Sequence, residues 1–213
     1  MSGDIKNKDL EVRIIEAAKS SFIENGFSGT SMSEIAAKVG INRPGLHYYF
    51  RTKDKMFEAV FGTIIQSIIP KIQDIILRKD KPISKRIENV IDTYYGVFRE
   101  NPCLPLFVLR EMQRDIDNLL GTINAIQAKQ AIDKLRTSLE EEMAQGKLKP
   151  VPMRFIFFTF YSLLIYPFLT KNLSTHLLLE KGETFEDILA EWKPYIVSQM
   201  KNLLCVPTES FSN

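Results

Sequence analysis

Two short helical patterns joined by only three or four residues constrain this chain more than any other feature. They lie in GTSMSEIAAKVGINRPGLHYYF, residues 29–50. Ser31 or Thr30 can cap the first, Ser31 has capping-box spacing to Glu34, and Met32, Ile35, Ala36 and Val39 fall on one face. Gly40 closes that helix, and Asn42 or Arg43 opens the next, with Pro44 in its first turn, where a missing N–H costs nothing. So short a connection cannot lay the two helices flat on each other. They must cross steeply, which leaves a joint apolar face that a further helix has to cover.

That cover is available upstream. In residues 10–26, Ile14, Ile15, Ala18, Phe22 and Ile23 repeat at spacings of three and four until Gly26 stops the pattern. The expected result is a helix-turn-helix held in a three-helix unit over residues 1–50. Thr52 caps a fourth helix, whose start at 52–57 continues this unit and whose apolar residues carry it to about residue 78, with a bend before Pro70. Further helices are expected from Pro82 to about 99, from Pro102 and Pro105 through Arg110 and Met112, over 115–145 as one long helix ending at Gly146, over about 153–169, and over about 184–203 with a bend at Pro194. No convincing β alternation appears. The reading is an all-α chain of about nine helices: a helix-turn-helix domain at 1–50, a larger helical body at 51–207, and a frayed tail at 208–213.

Charge gives the small unit a direction. The whole chain is only +2, but residues 35–55 hold Lys38, Arg43, Arg51, Lys53 and Lys55 against the single acid Asp54, a footprint suited to a polyanion. A third helix with a free N-terminal end can enter a major groove of double-stranded DNA. Arg43 is the candidate base-edge donor, Pro44 offers apolar contact, and Gly45 lets the backbone come close. His47, Tyr48 and Tyr49 are successive, about 100° apart around a helix, so they cannot all be buried. Leu46 and Phe50 form the natural core pair, leaving the rings between them to reach phosphate oxygens, contacts that set register. Lys53 at the start of helix four is a candidate phosphate clamp, and Thr30 at helix two is another.

Residues 10–57 resemble the N-terminal DNA-binding domain of the TetR family of bacterial transcriptional regulators. The resemblance rests on TSMSEIAAKVGINRPGLHYYFRTKDKMF, where cap, turn glycine, Leu46, Tyr49, Phe50 and Lys53 fall in register. It implies Thr30 and Lys53 on phosphates, Arg43 and Pro44 toward bases, and His47 and Tyr48 on the backbone or nearby bases. His47 stands where a tyrosine is usual and Gly45 where a small hydroxyl residue is common, so the preferred sequence is harder to infer than the mode of binding.

One reading head buries too little surface for a specific regulator, so the body is expected to form a homodimer that presents two heads to a palindrome. The helices at about 153–169 and 184–203 are the candidate interface, building a four-helix bundle with their mates. Residues 82–170 are the candidate site for a small-molecule effector, aromatic or lipophilic, with Tyr94, Tyr95, Phe98, Phe107, Met112, Phe158, Tyr161 and Tyr166 as its lining. By resemblance, a ligand there moves helix four, changes the spacing of the heads and lowers DNA affinity. That describes a repressor. A transcriptional activator, or a helical protein-interaction module that binds no DNA, is the alternative.

Other classes find little support. Cys103 and Cys205 match no metal or disulfide spacing, which fits thiols in a reducing compartment. Residues 1–12 contain no apolar core of the signal-peptide type, so a cytoplasmic location is expected. The longest apolar run, residues 155–169, falls short of the roughly 20 residues that span a bilayer, and no membrane association is expected. With only His47 and His176, no glycine-rich phosphate loop and no metal spacing, neither catalysis nor a cofactor or metal is expected.

Overall fold

The computed structural model describes residues 2–126 and 128–206, with side chains described from residue 8 onward; the expected tail at 208–213 lies outside the described residues. Eleven helices account for the fold, and no strand occurs among the described residues. They are α1 (Ser2–Gly29), α2 (Met32–Val39), α3 (Arg43–Tyr49), α4 (Lys53–Ile76), α5 (Ile83–Glu100), α6 (Leu104–Arg114), α7 (Ile116–Ala125), α8 (Ala128–Ala144), α9 (Met153–Leu169), α10 (Lys171–Leu177) and α11 (Phe185–Leu204).

The helix ends follow local chemistry. Gly26 leaves helical geometry at φ +71°, so α1 kinks there and makes one more turn. The Ser31 hydroxyl caps α2 by accepting from the Ser33 N–H, one residue short of the capping-box register expected with Glu34. Gly40 closes α2 at φ +78°, while the Ile41 N–H reaches back to the Ala36 carbonyl as in a Schellman ending. Asn42 opens α3 by accepting the Gly45 N–H at 2.8 Å, and Thr52 opens α4 by accepting the Lys55 N–H at 3.1 Å. Thr184 and Asp187 form a reciprocal capping box at α11.

Contacts gather the chain into two compact units that cut across the linear boundary at residue 50. The first holds residues up to 67 together with 101–129. In it α1 packs on α2 and α6, α2 on α3, and α6 on α7. Ile14, Ala18, Phe22, Ile35 and Leu46 form the fully buried seam of the helix-turn-helix, as their spacing predicts. Phe22, Phe27, Phe57, Phe61 and Phe107 extend this core as a chain of ring contacts with centroids 5.5–6.5 Å apart.

The second unit holds residues 68–100 and 130 onward, in which α11 packs on α5 and α9. Arg86 of α5 is buried and makes a bidentate pair with Glu142 of α8 at 2.8 and 2.6 Å, while its Nη1 also donates to the Ile76 carbonyl at the end of α4. By length and composition α4 could cross a membrane, as could α9 with α10 across a 68° bend. In α4, however, Met56, Phe57, Val60, Phe61 and Ile64 are buried within the chain.

Two expectations need correction here. The single helix over 115–145 is two helices, because Leu119 and Thr122 are buried with the first unit whereas Ser138, Leu139 and Glu142 are buried with the second. The additional helix α10 follows α9 directly, through Thr170.

Candidate nucleic-acid interface

The short α3 is anchored by Leu46 and by Phe50 just past its end, both buried. Arg43, Pro44, His47 and Tyr48 are exposed, Tyr48 at 78%. Tyr49 is half-buried, with its ring edge-on to Tyr48 at 5.3 Å. Gly45 matters for a local reason: a Cβ there would come within 3.0 Å of the Asn42 oxygen that caps the helix. The sequence departure at this position therefore fits a close cap.

Beside α3 lies a concavity of about 430 Å³ lined by Thr30, Ser31, Met32, Ser33, Arg43, His47, Arg51, Thr52 and Lys53. The opening turns of α2 and α4 both contribute, and the lining carries three full positive charges and no acid. Backbone N–H groups at two helix starts, three cations and several hydroxyls suit a phosphate-bearing polymer. Ser31, Arg51 and Thr52 join the site although the sequence singled them out only as caps or as part of a basic run, and Ser33, not singled out at all, joins them.

Two expected phosphate ligands are held in different ways. Thr30 rims the concavity but is only 3% exposed, and its hydroxyl proton is shared between the carbonyls of Ser21 and Gly26 at 3.0 and 2.8 Å. Its hydroxyl is therefore a fold element at the α1–α2 joint. Lys53 is half-buried, its Nζ 4.6 Å from the Phe27 ring centroid and 3.5 Å from the Ser28 carbonyl. The same ring carries the Arg114 guanidinium at 3.8 Å, itself held by Glu111 at 2.6 Å, so α6 helps to fix the ring on which Lys53 rests.

A second cavity, of about 580 Å³, lies within the second unit between the end of α4 and helices α5, α8, α9 and α11. Its walls are mainly isoleucine and phenylalanine, with Ile69, Ile72, Ile83, Ile87, Phe157 and Phe160 among them. Of the eight expected lining residues it gathers Tyr94, Phe158 and Tyr161. Tyr95 follows Tyr94 by about 100° on α5 and turns elsewhere; it and Phe98 pack on Phe168 at 5.7 and 4.8 Å. Phe107 belongs to the ring core of the first unit, Met112 is exposed on α6, and Tyr166 is 65% exposed on α9. Branched aliphatics of α4 and α5, together with the start of α9, supply most of the wall instead.

The Tyr94 and Tyr161 hydroxyls meet at 2.5 Å. Burial raises the pKa of both above the ordinary tyrosine value, Tyr94 by the larger margin, so both remain protonated through the neutral range.

Residues 14–60 match the model of the bacterial regulatory proteins of the tetR family. That stretch is a TetR-type DNA-binding segment. The matched segment runs from α1 into α4, so it contains all eight expected DNA-contacting residues and none of the apolar cavity. The chain is 28% identical over 149 residues to the HTH-type transcriptional regulator RutR of Escherichia coli K12, covering 68% of this chain and 67% of that one. It is 23% identical over 146 residues to the nucleoid occlusion factor SlmA of a Marinomonas species, covering 68% and 71%. Among solved structures, a TetR family transcription regulator from Marinobacter aquaeolei VT8 superposes with a TM-score of 0.70 at 17% identity, over 96% of this chain and all of that one.

Proposed function

We propose that this TetR-family transcriptional regulator is a ligand-responsive repressor that binds a palindromic operator as a homodimer in the bacterial cytoplasm. The observation that carries the proposal is the exposed face of α3, with Arg43, His47 and Tyr48 outward, adjoining an acid-free concavity that contains Arg43, Arg51 and Lys53. Arg43 and Pro44 face bases, Gly45 permits close approach, and His47, Tyr48, Tyr49 and Lys53 set register on the phosphates. Thr30 supports this surface from beneath.

Dimerisation is assigned to α9 and α11. Phe155 and Tyr166 on α9 and Tyr195 on α11 remain exposed in a single chain, more ring surface than a free monomer ordinarily shows to water. The effector occupies the cavity in the second unit. Because α4 continues unbroken from residues that begin at the concavity to residues that wall the cavity, occupation there acts on the head through one helix.

The test is selection of bound duplexes from a random pool at physiological salt, followed by sequencing and sizing of the complex. A palindrome bound by an even number of chains is the expected result. Recovery of unrelated duplexes would overturn sequence reading, and a stable complex with one chain per site would overturn the dimer.

A further inference from the structure

Hydrogen-bond accounting inside the apolar cavity reveals an unmet demand. Tyr94 and Tyr161 bring two O–H protons to one contact of 2.5 Å, which uses only one of them. The other proton has no further acceptor among the described hydrogen bonds, and the walls around the pair are mainly hydrocarbon. Toward the opposite end of the same α9 face stands Arg154, exposed, its guanidinium 5.0 Å from the Phe155 ring centroid and without an ion-pair partner among the described residues. Arg136 of α8 also lines the cavity, loosely paired to Asp133 at 3.6 Å, and no carboxylate lines it among the described residues. Arg154 and Tyr161 are seven residues apart on one helix, which places them two turns apart on one face, about 10 Å along the axis.

We infer that the cavity takes an anionic amphiphile. Its carboxylate or similar negative group pairs with Arg154, its apolar body lies along the isoleucine and phenylalanine walls, and a neutral oxygen about 10 Å deeper accepts the spare proton of the tyrosine pair. The inference rests on reading this cavity as the effector site. An ammonium amphiphile would meet the unpaired Arg154 and the loosely paired Arg136 with no carboxylate in the lining, and a pure hydrocarbon would leave the tyrosine proton unpaired.

The test is calorimetric titration of the full chain with decanoate, decanol, decylammonium and ω-hydroxydecanoate, each below its aggregation concentration. Decanoate should bind about tenfold or more tighter than decanol and decylammonium, and Arg154→Gln should abolish that preference. The ω-hydroxyl compound should bind more tightly than decanoate, and lose that advantage in the Tyr94→Phe/Tyr161→Phe double variant, whose helicity is checked by circular dichroism. Decylammonium binding as tightly as decanoate, or no binding by any of the four, would overturn the ligand class. Operator affinity is read separately: decanoate bound in the cavity with DNA affinity unchanged would contradict the effector role and leave the ligand class standing.

Discussion

Thr30 and Tyr95 show how far a side chain's role depends on the neighbours the fold gives it. Thr30 sits where a phosphate contact is expected, yet its hydroxyl bonds to the carbonyls of Ser21 and Gly26. Thr30→Val should therefore lower folding stability by about 1 kcal/mol in chemical denaturation and leave the salt dependence of DNA binding unchanged. A flattened salt slope with full stability would return Thr30 to the phosphates. Tyr95 has a buried hydroxyl with no hydrogen-bond partner among the described groups, and burial pushes its pKa to about 12. The unfolded chain loses this proton near 10 whereas the folded chain keeps it until about 12, so stability present below pH 10 is lost as pH rises through that window. Thermal midpoints should fall from pH 10 to 12, and fall less in Tyr95→Phe. At this scale the sequence was legible where periodicity decides burial, as for Leu46 and Phe50. It was silent where carbonyls of the preceding helix decide, as for Thr30.

At the level of helices, the buried Arg86–Glu142 pair ties α5 to α8 and caps the end of α4 in one contact. The two side chains are 2% and 6% exposed. Removing one partner leaves an uncompensated buried charge, so Glu142→Leu should cost about 3–5 kcal/mol in chemical denaturation. The double variant Arg86→Met/Glu142→Leu should recover most of that loss, and additive losses would show that the pair is not coupled. Nothing in the sequence announces this pair, because both residues read as ordinary polar positions of amphipathic helices. The break between α7 and α8 was illegible for a related reason. Apolar spacing runs on through 115–145, and only the allegiance of Leu119 to one unit and Leu139 to the other separates the two helices. By contrast, α2, α3 and α11 begin at side-chain caps, and α2 ends at a glycine, written in the sequence itself.

Over the whole molecule, the all-α class and the helix-turn-helix followed from spacing and turn residues, whereas the cavity lining did not. Five of the eight residues nominated for the cavity, four rings and Met112, pack or are exposed elsewhere, because ring content marks a good wall and a good core equally. The head was easier to read because exposure of consecutive rings and a local basic excess are properties of a few adjacent residues. The central claim is that α3 reads base sequence while the start of α4 holds phosphate. Its most direct test is a salt titration of operator and unrelated duplex with the wild-type chain, Arg43→Ala and Lys53→Ala. Arg43→Ala should lose about 1–3 kcal/mol on the operator and relax one position of each half-site. Lys53→Ala should weaken both duplexes alike and flatten the salt dependence by about one unit of slope. Unchanged affinity in both variants, or equal loss on operator and unrelated duplex in Arg43→Ala, would contradict the account.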